Sequence, residues 1–469
     1  MKKKVVSALL CATMVATMFA GCGSKKSDNN ASTPDTSKAD TSSEVSEPAE
    51  DTGKVLNIYC WNEEFKSRIT AHYPDYKEVD ATHGKIGDVD VVWNITPNDD
   101  NAYQNNLDAT LLNQADAPAD DKIDLFLVEA DYALKYVDTD YTMPIKDLGI
   151  TDDDLSKQYQ YTKDIVTDSN GVLKGLSWQG CPGVLFYNRD AAKEVLGTDD
   201  PDKVQESVKD WDTYNDTAKK MKDAGYKMTA SANDTYRVYS NNVTSKWVDG
   251  NKISIDDNIM KWVDDSKAQV DAGETGTCDL WSDDWSKGFY PQGKVFCYFG
   301  PAWLVNFSMA ADTEGSIGYN GGWGAAQGPQ GFFWGGTWIC AAQGTDNANL
   351  VKDIMLKMTT DDDIMKDIVV DDDDFVNNST VMNGLADGSI KVKDDKEYTS
   401  KILGGQNPLP MYCAGVETLD LSNLSSYDQG CNEEFQNAMK NYFEGKASKE
   451  DALDLFYKAV TEKYPELTY

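Results

Sequence analysis

Residues 174–190 read KGLSWQGCPGVLFYNRD, and the fold turns on how the two apolar runs in this stretch are joined. Residues 173–178 and 184–187 carry the aromatic and aliphatic side chains of strands. Between them, Gly180, Pro182 and Gly183 supply unusual backbone angles and forbid a helix. Two arrangements fit. Either the segment is a hinge through which the chain leaves one lobe for another, with Trp178 and Gln179 at the lip of a cleft, or it is an ordinary hairpin with a core Trp.

Outward from the hinge, the N-terminus reads as an export signal. Lys2, Lys3 and Lys4 precede an apolar run over 5–20, too short to be a convincing membrane span, and Ala20 and Gly21 lead into Cys22. Residues 18–22, MFAGC, resemble a lipobox, in which a signal peptidase cuts before a cysteine that is then acylated; Phe19 stands where Leu is usual. A signal peptide over 1–21 and a lipidated Cys22 are therefore expected. Cys11 is the poorer start, with bulky Leu10 before it. Residues 22–53 have almost nothing to bury and read as a disordered tether. The remaining 54–469 exceed one compact domain, so two lobes are expected.

The chain has 79 acidic and 44 basic residues, a formal net charge of −35 at pH 7. That field repels phosphate backbones and anionic lipid heads, which argues against nucleic acid and leaves the acyl chain as the membrane contact. Short acidic runs such as Asp361, Asp362 and Asp363 read as solvated faces, since no calcium-loop pattern is present and no metal is expected. Apart from Cys11 and Cys22, seven cysteines remain, an odd number without C-x-x-C spacing. They read mostly as buried free thiols, with room for one bridge.

Residues 54–61, KVLNIYCW, form a first strand running into a helix over 62–71, and 124–128 form a third that ends in Glu129, Ala130 and Asp131. Strand and helix alternate as in a doubly wound α/β lobe, where ligands bind at the carboxyl edge of the strands. Trp61, Asn62 and Glu63 are therefore site candidates. Beyond the hinge, 190–196, 202–208, 212–224 and 255–272 read as helices and 295–299 as a buried strand. A Gly300–Pro301 turn then precedes a short helix beginning at Trp303. Helix starts offer unpaired backbone donors to a polar ligand. Residues 321–342 set Trp323, Trp334 and Trp338 among glycines, either as core residues or as platforms for the apolar faces of sugar rings. Two amphipathic helices close the chain. Before them, Tyr427 and Asp428 sit in a polar loop that could form the far wall of a cleft.

Catalytic motifs are missing. His72 and His83 are the only histidines, and neither lies in a metal-binding or nucleophile pattern; no phosphate loop or dinucleotide fingerprint occurs, so no cofactor is expected. A glycosidase needs only two carboxylates, which keeps a secreted glycan hydrolase as a rival. A binding lipoprotein for a peptide or other polar solute, or an adhesion module, is another.

Taken in order, GLSWQGCPGVLFYNRD, WDTYNDTAKKMKDAG, GKVFCYFGPAW, WGGTW, DFVNNSTVMNGL and the paired terminal helices resemble the family 1 extracellular solute-binding proteins of carbohydrate ABC importers, the maltose-binding-like group. The resemblance implies a two-lobe periplasmic-binding-protein-like α/β fold with discontinuous lobes: an N-lobe from 54–178 and 333–375, and a C-lobe from 184–328 and 380–469. It also implies that Trp303 stacks on a sugar, that Trp178 and Gln179 lie in a contact segment beside the hinge, and that Glu63 and Glu129 bind ligand hydroxyls. Trp334, Tyr427 and Asp428 are further contacts on the same basis. The expected protein is a monomeric lipoprotein on the outer face of the bacterial cytoplasmic membrane. It captures a neutral sugar or oligosaccharide and delivers it to permease subunits of an ABC transporter.

Overall fold

The computed structural model describes Pro48 and residues 50–469; the expected signal peptide, Cys22 and most of the tether lie outside the described residues. Among the described residues no helix is long and apolar enough to cross a membrane. Ordered contacts begin inside the expected tether. The Asp51 carboxylate accepts from the backbone N–H groups of Asn349 (2.8 Å) and Leu350 (3.0 Å), in the first turn of the helix Ala348–Thr360. Those groups have no partner within a helix, and a carboxylate there also suits the helix dipole.

The first lobe is built on strands β1 (Val55–Cys60), β2 (Tyr76–Glu78), β3 (His83–Ile86), β4 (Val89–Ile95), β5 (Leu125–Glu129) and β6 (Leu176–Ser177). The second lobe takes β7 (Pro182–Asn188), β8 (Cys297–Gly300), β9 (Trp323–Ala326) and β10 (Phe332–Phe333). The chain then returns to the first sheet as β11 (Thr337–Ala341), giving the order β2-β3-β4-β1-β5-β11-β6. β1 runs parallel to both β4 and β5, so their carboxyl ends share one edge. In the second sheet β8, β9 and β10 are all antiparallel to β7. β7 is buried along its whole length, as its unbroken apolar run requires.

Because β6 and β7 belong to different sheets, the segment between them crosses from one lobe to the other, and the hairpin reading is excluded. A later stretch lies alongside it: Asn377 N donates to Trp178 O (2.7 Å) and Gly180 N to Phe375 O (2.9 Å). The expected origin of the unusual backbone is corrected. The left-handed residue is Cys181 (φ 53°), not a glycine. Gly180 and Gly183 serve close approach instead. A Cβ on Gly183 would sit 2.1 Å from the Phe332 ring, and one on Gly180 2.6 Å from Phe375.

Trp178 is the second correction. Its side chain is fully buried and stacks on Phe65, with centroids 5.2 Å apart and planes at 21°, beneath the helix Glu64–His72. It cannot meet a ligand, because its ring is spent on the first-lobe core.

The expected second-lobe helices form as Arg189–Leu196, Pro201–Glu206, Trp211–Asp223 and Asp257–Ala272. Asp210 caps the third, accepting from Thr213 N at 2.7 Å. The terminal helices Asp428–Phe443 and Lys449–Lys463 bury Phe435, Met439, Phe443, Phe456 and Val460 against Trp247 and Trp262. The segment after Trp303 departs from expectation as a π-helical turn, Leu304–Ser308. All seven cysteines among the described residues are unpaired, five of them buried.

The core placement of Trp178 predicts that Trp178→Ala lowers unfolding stability by about 3–5 kcal/mol. Thermal and denaturant melts measure this, and an unchanged midpoint rejects the placement.

Candidate functional site

A cleft of about 480 Å³ lies where the carboxyl ends of β1 and β5 face the second lobe. This size falls within the roughly 300–1,000 Å³ of small-molecule sites. From the first lobe come Trp61 and Asn62 after β1, and Glu129 and Asp131 at the end of β5. Trp61 is held by ring contacts with Tyr103 (5.7 Å) and Tyr132 (6.2 Å). The second lobe supplies Trp303 and Phe307 after β8, Arg237 on the helix Tyr236–Ser240, and Gln436 on the terminal helix.

The crossing between β10 and β11 adds Trp334, Gly335 and Gly336. Gly335 is left-handed (φ 69°), and a Cβ there would lie 3.2 Å from the Trp303 indole. Trp303 and Trp334 meet edge to face at 5.3 Å, and the Trp303 indole N–H points to the Trp334 carbonyl at 3.4 Å. The Arg237 guanidinium lies 6.0 Å from the Trp334 ring centroid. Both rings are half-buried, so each keeps a face at the cleft.

Arg237 and Asp131 join the two lobes through a paired contact, one arm of which is 2.8 Å. Two parallel N–H···O bonds of this kind are both strong and directional. Nearby, Gln104 Nε2 donates to Gln429 Oε1 (3.3 Å) and Gln429 Nε2 to Asn101 Oδ1 (3.2 Å), so the lobes meet along one rim.

Glu129 touches the cleft but is otherwise enclosed. Burial raises its carboxyl to about 8 from an ordinary 4.5; the Asp131 charge adds to the rise and Arg237 opposes it. Glu64 rises to about 7, again chiefly through burial, with Arg68 opposing. Burial thus favours the neutral acid, the form in which Glu129 can donate as well as accept.

Six of the ten ligand-site residues read from sequence share this cleft: Trp61, Asn62, Glu129, Gln179, Trp303 and Trp334. Gln179 is buried there with its amide fully engaged. The other four are corrected. Trp178 is core, as described above. Glu63 is exposed just before the first helix, and its neighbour Glu64 faces the cleft instead. Tyr427 packs edge-on against Tyr464 at 5.1 Å, in the terminal-helix layer. Asp428 opens a helix rather than lying in a loop. It accepts from Ser425 Oγ (2.6 Å) and faces a separate cavity of about 50 Å³ behind Arg237.

Asn233, Arg237, Trp281, Phe307 and Gln436 line the cleft without having been singled out from sequence. For Trp281 a signal existed in the dense aromatic run 280–290. Arg237 is a lone base in an unremarkable segment, placed only by lobe contact.

Residues 80–399 match the family model described as bacterial extracellular solute-binding protein. The chain belongs to that family. Membership places this solute-binding protein outside the cytoplasm. Its fold is similar to a solved extracellular solute-binding protein family 1 structure, at 17% identity and TM-score 0.67, covering 87% of this chain and 99% of the other. It is also similar to an ABC-transporter-associated binding protein from B. animalis subsp. lactis, solved with beta-1,6-galactobiose (19%, TM-score 0.63, 88% and 99% covered). A third is the galacto-N-biose/lacto-N-biose I-binding protein of Bifidobacterium longum, solved with lacto-N-biose (13%, TM-score 0.65, 90% and 98% covered). No curated protein sequence matches the chain.

The raised Glu129 acid makes the folded state hold a proton that the unfolded chain releases, between the ordinary 4.5 and about 8. Stability therefore falls as pH rises through that window, and the deficit is complete above it. Glu129→Gln, which cannot ionise, should melt higher than the wild-type chain at pH 9, with the gap closing toward pH 5. Parallel melting curves across pH would contradict the assignment.

Proposed function

We propose that this solute-binding protein is the receptor of a carbohydrate ABC importer, closing its two lobes on a neutral sugar or oligosaccharide and passing it to the permease. The observation that carries this reading is the pairing of half-buried indoles with neutral hydrogen-bonding groups in one cleft. Trp303 and Trp334 on one side and Trp61 on the other offer apolar faces to the CH surfaces of pyranose rings. Asn62, Asn233, Gln436 and Glu129, whose neutral form burial favours, surround them as partners for hydroxyls. Among the described residues Arg237 is the only Lys or Arg lining the cleft, and Asp131 occupies its fork, so an anionic ligand finds no free counter-charge there.

Binding without turnover is favoured over hydrolysis by the state of the carboxylates. Asp131 is held by Arg237 and Glu64 by Gln179 (2.8 Å), which leaves no free pair to flank a glycosidic bond. The sugar complexes of the fold relatives agree with the reading. Acylation at Cys22 would tether the receptor to the outer face of the cytoplasmic membrane beside its transporter, and it would act there as a monomer.

Calorimetric titration against a panel of neutral oligosaccharides tests the proposal. Binding to at least one is expected, and Trp303→Ala should weaken it at least about tenfold, the equivalent of roughly 1.4 kcal/mol. Binding of peptides or metal ions with no saccharide bound would overturn it.

A further inference from the structure

The half-buried rings of the cleft account for an inner site, but they leave its outer edge unexplained. Trp281 and Phe307 line the same cleft, yet they are 54% and 51% exposed, among the few large apolar side chains turned to solvent. Isolated exposed apolar residues are ordinary, but two on the lip of a polar-lined cleft form a patch of the kind that marks a binding surface.

Trp281 is also held in place at a conformational cost. Its backbone is left-handed (φ 68°), a region bulky side chains rarely enter, and such outliers persist where the surroundings over-determine them. The surroundings here do so. Ser282 Oγ donates to Asp279 O (2.7 Å) and caps Trp285 N (3.2 Å), while the Trp285 indole is fixed by Asp234 at 2.7 Å. Lys440 on the terminal helix grips Asp279 at 2.6 Å. The Trp281 ring then rests edge-on against Trp285 (5.0 Å) and nearly parallel to Trp303 (6.2 Å, 28°). A turn so fully bonded presents an indole to water in continuity with the inner aromatic rings.

We propose that Trp281, together with Phe307, forms an outer subsite that stacks on a ring of a neutral oligosaccharide beyond those held by Trp61, Trp303 and Trp334. The preferred ligand is accordingly longer than the inner cleft alone would hold. This inference rests on the saccharide reading of the cleft. Trp281 acts on chain length, whereas Trp303 acts on every ligand.

The test is calorimetry with cello-, malto- and manno-oligosaccharides from disaccharide to pentasaccharide, on the wild-type chain and on Trp281→Ala, Phe307→Ala and Trp303→Ala. In the series that binds, wild-type affinity should climb about tenfold or more with length. Trp281→Ala should flatten that climb, weakening the longest ligand most and the disaccharide least, and Trp281→Tyr should restore it. Trp303→Ala should weaken all lengths alike. Wild-type affinity that ignores length overturns the inference and leaves the saccharide reading standing. So does a Trp281→Ala loss equal at every length, which would mark the ring as a structural cover. If no saccharide binds the wild-type chain, the saccharide reading fails and the outer subsite with it.

Discussion

One buried amide holds the two lobes in register. The Gln179 side chain lies on the first passage between the sheets. Its oxygen accepts from Thr337 N on the second passage (3.1 Å), and its nitrogen donates to Asp374 beside the third (3.0 Å) and to Glu64 on the first helix (2.8 Å). All four groups are buried, so breaking one of these bonds leaves a poorly solvated polar atom. Three separate stretches of chain thereby share one node. Short paired segments around it, Gln179 with Val376 and Gly180 with Phe375, tie the first and third passages together.

The cleft inherits its geometry from that node. Glu64, which the amide holds, faces the cleft, and Trp334 to Thr337 run from one sheet to the other directly past it. Of the inner rings, Trp334 lies on such a passage, and Trp61 and Trp303 follow strands of the two sheets. The Asp131–Arg237 pair, far along the chain from the node, is a second directional contact between the lobes.

What the residues alone revealed follows a physical line. Trp61, Asn62, Glu129 and Trp303 sit where a strand ends, and strand ends can be read from where apolar runs stop, with Gly300–Pro301 marking the one before Trp303. Trp178 failed because it lies just past a two-residue strand, where the ladder distorts and parity no longer tells which face a side chain takes. Asp428 failed because Asp, Gln and Gly compose a polar loop and the first turn of a helix equally well. Arg237 and Trp281 carried no usable periodicity. One is placed by contact between lobes distant in sequence, and the other by a turn whose left-handed residue is not a glycine.

The seven unpaired thiols have a consequence for how the framework endures. Burial holds Cys60 up at about 12 and raises Cys181, Cys297 and Cys340 too, so these sulfurs stay protonated and unreactive in the folded chain. Among the described residues the shape thus rests on packing rather than on disulfide cross-links. Reductants leave that scaffold untouched, and oxidants reach these buried sulfurs only where the core opens.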